Sequence, residues 1–118
     1  MSSESQEFLI GCAPFGDLLV GGSGGEALRN TLRAGAEVRI RVGGTSMLPA
    51  IWPGDIVSIS CQGTEEPDYP DVVLFKAERR LFVHRVLRSE NGRLITRGDA
   101  LPHCDPPVDV ADVIGVVT

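Results

Sequence analysis

Two residues of this chain have the types and surroundings for nucleophilic chemistry, Ser46 and His84. Ser46 lies in Gly43-Gly44-Thr45-Ser46-Met47-Leu48-Pro49, a tight Gly-rich loop between two expected strands, where a hydroxyl can be held rigidly against an incoming carbonyl. A serine hydroxyl is a poor nucleophile at neutral pH. It needs a neighbouring base to take its proton and donors to hold the oxyanion that forms. The backbone amides of residues 44–47 can supply those donors, because Gly43 and Gly44 permit the unusual φ values of such a loop. Gly44, Thr45 and Met47 are therefore the candidate oxyanion and substrate-binding positions. The segment Phe82-Val83-His84-Arg85-Val86 offers the base. A histidine, with an ordinary pKa of about 6.5, can accept a proton near pH 7 as a neutral imidazole, whereas a lysine must first be depressed by several units. Asp105, in Asp105-Pro106-Pro107, and Asp99, in Gly98-Asp99, could each hold the ring in the right tautomer. Each has a bland alternative: Ser46 as the cap of a turn, His84 as a core histidine bonded to a carbonyl, and both aspartates as turn residues.

These groups must be positioned by strands. Val38, Ile40 and Val42 alternate with Arg39 and Arg41, the period of a half-buried strand. Apolar or β-branched runs bounded by Gly, Pro, Asp or Asn follow at 56–60, 72–75, 81–87, 93–96 and 113–117. Within the base strand, alternation puts His84 on one face with Phe82 and Val86, and Val83, Arg85 and Leu87 on the other. Asn91-Gly92 is the favoured two-residue hairpin signal. One short helix is expected over 26–33, with leucines four apart, an acid at its start and arginine at its end. Ahead of it, Gly21-Gly22-Ser23-Gly24-Gly25 reads as a hinge. The chain divides into an N-terminal arm and hinge over 1–25 and a domain over 26–118. Its class is mainly β, a β-rich α+β domain.

The balance of 42% hydrophobic and 23% charged residues describes a soluble globular domain. A net charge of −5, with Lys76 the only lysine, argues against a nucleic-acid partner, since phosphate binding draws on clustered Lys and Arg. Cys12, Cys61 and Cys104 are an odd count without zinc-ligand spacing, which fits a reducing compartment, with cytoplasm as the default. His103-Cys104-Asp105 with Cys61 lacks the spacing of a metal site, and no metal or cofactor is expected; Cys104 reads as a small filler. No stretch approaches the roughly 20 apolar residues needed to span a bilayer, so no anchoring helix is expected. Trp52 is expected to cover the end of its own core, with contact to a membrane surface or a partner as the alternative.

Taken together, the segments resemble the serine peptidase superfamily of type I signal peptidases and LexA-type self-cleaving repressor domains, over about residues 38–117. The matching pieces stand in family order: Gly44-Thr45-Ser46-Met47-Leu48-Pro49, Gly54-Asp55-Ile56-Val57, Asp71-Val72-Val73-Leu74-Phe75, His84-Arg85-Val86, and Thr96-Arg97-Gly98-Asp99 with Asp105. Leader peptidases and repressors usually pair serine with lysine, whereas the endoplasmic-reticulum and SipW-like signal peptidases carry histidine on the equivalent strand. The resemblance therefore implies a Ser46-His84 pair oriented by an aspartate, Asp105 first by its place after Gly98-Asp99, and Asp99 second. It also implies a coiled β-sheet, barrel-type fold. Lys76, the alternative base, belongs to a solvated hairpin end. Two departures bear on the site: Gly44 stands where leader peptidases often carry an oxyanion-binding serine, leaving backbone donors, chiefly the Ser46 amide, and Pro70 replaces a glycine before Asp71.

The implied activity is limited endoproteolysis of a protein or peptide precursor through an acyl-enzyme, with the substrate bound extended as an added strand and small residues before the cut. A catalytically silent peptide binder on the same fold is the alternative reading. A self-cleaving regulator, cutting near Ala34-Gly35, is a third.

Overall fold

The computed structural model describes residues 6–11, 24–35, 38–61 and 66–118, with 6–11, 24–27 and 31 described through their backbone alone. Cys12 and hinge residues 21–23 lie outside the described residues. Among the described residues, eight strands form one sheet in the order β1-β2-β3-β8-β4-β5-β6-β7. They are β1 (Gln6–Gly11), β2 (Val38–Gly43), β3 (Ile56–Cys61), β4 (Val72–Ala77), β5 (Arg80–Glu90), β6 (Arg93–Arg97), β7 (Val108–Asp109) and β8 (Val113–Val117). One helix, α1 (Gly24–Arg33), and a 3-10 turn over Val110–Asp112 complete the set. The domain is mainly β. Every pair of neighbouring strands is antiparallel except β1 and β2, which run parallel from Gln6 beside Val38 to Gly11 beside Gly43. The sheet also bends back on itself, for β1 comes alongside β5 without joining its ladder.

The alternation read from the sequence appears as burial. Val38, Ile40 and Val42 are buried and Arg39 and Arg41 exposed, and this face of β2 receives α1 through Leu28 and Leu32. Arg29 ties the helix to the far end of the chain by donating from Nη2 to the Ala111 carbonyl at 3.0 Å. In β4 the neighbours Val73, Leu74 and Phe75 are all buried, Leu74 in the cluster under α1 and Val73 and Phe75 in a second cluster with Val86 and Leu94. Successive strand residues point to opposite faces, so β4 and its partner β5 are covered on both sides. Asn91 and Gly92, at φ of 53° and 78°, turn the chain between β5 and β6 as the hairpin signal requires.

The structure differs from the sequence reading in its extra elements and its boundaries. β1 and β7 were not expected, and β5 extends beyond 81–87 at both ends. Gly24 and Gly25, read as hinge, form the first turn of α1, where N–H groups have no intrahelical partner and a glycine weakens the helix less than at its centre. Among the described residues, no helix is long and apolar enough to cross a membrane.

Candidate active site

Ser46 sits in the turn that leaves β2, and its backbone is bolted down from several directions. Gly44 takes a φ of 79° to reverse the chain. The Leu48 amide then donates to the Thr45 carbonyl at 3.2 Å and the Ile51 amide to the Met47 carbonyl at 2.9 Å, winding residues 45–51 into a compact turn. Across the site, the Ala100 amide donates to the Ser46 carbonyl at 2.8 Å. Gly98 lies so close beneath that a Cβ there would stand 2.7 Å from the Ser46 carbonyl oxygen and 3.0 Å from its Cβ. Only glycine fits this approach.

β5 presents His84 to this turn. Ser46 Oγ is 3.1 Å from His84 Nε2, and His84 Nδ1 is 2.6 Å from Asp105 Oδ2. Thr96, fully buried on β6, donates its hydroxyl to the same Asp105 oxygen at 2.7 Å. The Asp105 main chain is held as well, its amide donating to the Thr96 carbonyl at 2.8 Å. A carboxylate only accepts hydrogen bonds, so the contact to Asp105 suits a ring proton on Nδ1, and in the neutral ring of that tautomer Nε2 offers its lone pair to the serine hydroxyl. Phe75 and Phe82 wall the ring, with centroids 6.0 and 5.7 Å from that of His84. A hydroxyl, an imidazole and a carboxylate thus stand in hydrogen-bonding sequence, the order that a nucleophile, a base and an orienting acid would need. Ser46 and His84 are 1% and 3% exposed.

Neither family models nor curated proteins gave a match to this chain.

Of the two aspartates considered for orienting His84, the structure brings Asp105 to the ring and gives Asp99 to Arg85. Arg85 Nε and Nη2 each donate to one Asp99 oxygen at 2.8 Å, and Nη1 donates to the Pro70 carbonyl at 2.8 Å. Hydrogen bonding to Asp99 raises the Arg85 guanidinium above its ordinary range, over the opposing effect of desolvation. Met47 enters the site region by a route the sequence did not suggest: its side chain is buried in the cluster under α1, and its Sδ accepts from the Asp99 amide at 3.4 Å. Thr45 is exposed beside Ser46. Lys76 lines a cavity of about 230 Å³ that also meets Asp105, Phe75 and Phe82.

Three expectations fail or shift. Trp52 does not cover the core; it is 57% exposed, with its indole N–H donating to the Pro49 carbonyl, and Ile51 is the residue that packs inward. Cys104 is exposed and so fills nothing. Ala34 and Gly35 close the C-terminal end of α1 by donating amide hydrogen bonds to the Asn30 and Leu32 carbonyls, which is not the extended form in which a peptidase takes its substrate. Thr96 and Arg85 are the positions whose roles the sequence reading missed. Thr96 carried a signal, since it shares the inward face of β6 with Leu94 at the strand period, and a buried hydroxyl needs a partner.

Proposed function

We propose that this protein is a serine endopeptidase of the signal-peptidase and LexA-like type, making limited cuts in a protein or peptide precursor. The observation that carries this reading is the continuous chain from Ser46 through His84 to Asp105. In it, Ser46 attacks the scissile carbonyl while Nε2 takes its proton. The imidazolium, steadied by Asp105 and Thr96, returns that proton to the leaving amine, and water then releases the acyl group by the same route. Backbone amides of residues 44–47 hold the oxyanion, the role left to them by Gly44. The bent sheet supports a coiled, barrel-type fold of this family, and the exposed, unpaired Cys61 and Cys104 fit a reducing compartment such as the cytoplasm.

A second reading, a catalytically silent peptide binder, draws on the near-complete burial of Ser46 and His84. One experiment separates the two. A diverse peptide mixture is incubated with the wild type, Ser46→Ala and His84→Ala, and new termini are identified by mass spectrometry. Cleavage by the wild type that falls about a thousandfold or more in each variant is expected. Equal cleavage by all three proteins would sink the proposal, and binding without cleavage would favour the silent reading.

A further inference from the structure

The burial of the nucleophile and base conflicts with a working site, because a substrate carbonyl must reach Ser46 Oγ. Something has to move. β1 is the element placed to do so. Among the described residues it is the one strand that pairs in parallel, its partner β2 runs directly into the Ser46 turn, and it comes alongside β5, the strand that carries His84. Its ladder stops with Gly11 beside Gly43, just short of the turn that bears the serine. Because β1 and β2 run in the same direction, a strand seated here points its C-terminal end toward Ser46. That is the direction in which an extended peptide would deliver its scissile bond, with the residues before the cut paired to β2.

Building on the peptidase reading, we infer that β1 is an internal occupant of the peptide groove, and that an extended peptide binds parallel to β2 by displacing it. A strand tethered to its own groove competes at an effective concentration of roughly millimolar, so a free peptide at micromolar concentration is held off by its apparent affinity being reduced in proportion to the closed fraction. The resting chain is then a shielded enzyme, opened by whatever draws the N-terminal arm away.

The test uses the full chain carrying Ser46→Ala, so that binding is read apart from turnover, with a fluorescent synthetic peptide of residues 5–14 as probe and anisotropy as readout. Adding Phe8→Pro and Leu9→Pro removes two strand amides from β1 and is expected to tighten peptide binding by about tenfold or more. A second pair, Leu9→Cys with Arg41→Cys, joins positions that stand beside each other in the β1–β2 register. Its oxidised form is expected to bind no peptide and to recover binding on reduction. If the proline variant lacks a cooperative melting transition, the disulfide pair decides alone. Equal binding by native and proline-bearing arms, undiminished binding by the oxidised form, or no binding to any form would overturn the inference. Failure of the peptidase reading looks different: the opened arm binds peptide, but an opened chain that retains Ser46 cleaves it no faster than the Ser46→Ala chain does.

Discussion

At the scale of single residues, Asp99 and Asp105 are equivalent in type and unlike in company. Asp105 receives His84 and Thr96, while both Asp99 oxygens are taken by Arg85. Asp105→Asn should therefore lower kcat by about ten-thousandfold, since an amide in that place favours the wrong imidazole tautomer. Asp99→Asn should lower it by less than about tenfold while costing about 1–3 kcal/mol of stability, because a partly buried guanidinium loses half of its bidentate partner. Steady-state kinetics with urea unfolding of both variants checks the pair, and similar kcat losses would contradict the assignment. The histidine stood out because an imidazole is uncommon on an apolar strand face, whereas the serine, a common turn residue, stood out only with the ordered segments that follow it. Residue type and spacing alone left the aspartates level, and only the resemblance ranked Asp105 first, since each stands beside a turn residue and the arginine that takes Asp99 acts across strands. Trp52 misled for a related reason: an indole has both apolar area to bury and an N–H to satisfy, and here the nearby Pro49 carbonyl satisfies it at the surface.

At the scale of elements, the site depends on how closely the segment after β6 approaches the turn after β2. The missing side chain at Gly98 permits that approach, and the bond from the Ala100 amide to the Ser46 carbonyl uses it. Gly98→Ala should push the Ser46 turn outward, with a stability loss of about 1–3 kcal/mol from overpacking and a fall in kcat of about a hundredfold from the displaced nucleophile. Thermal melting and single-turnover kinetics report the two effects separately; a variant with native kcat would show that the turn tolerates the shift. The strands with strict alternation, β2 above all, were legible because one face is wet and the other dry. β1 was not, because its partner lies far along the chain and parallel pairing leaves no hairpin turn to announce it. β7 is a two-residue strand held in place by its pairing to β6, and local propensity says nothing about it.

For the molecule as a whole, both faces of β4 and β5 are covered, so the strand bearing His84 lies within the core and not over it. β5 thereby serves the core through Val83 and Val86 and the site through His84. Leu74→Ala, in the cluster under α1, should cost about 2–5 kcal/mol, a large part of the 5–15 kcal/mol typical of a domain. Its expected signature is a lowered urea midpoint with unchanged kcat at temperatures where the variant remains folded; a kcat loss in the folded variant would mean that the core tunes the site directly. The main-chain bonds that frame the site have a consequence over longer times. Because the Ser46 carbonyl, the Ala100 amide, the Thr96 carbonyl and the Asp105 amide are donors and acceptors that nearly any amino acid would supply, the loops around the serine can drift in sequence without losing the frame. Selection is left to act on the few positions whose side chains, or lack of one, cannot be replaced: Ser46, His84, Thr96, Gly98 and Asp105. The remainder of the rim is free to vary around them.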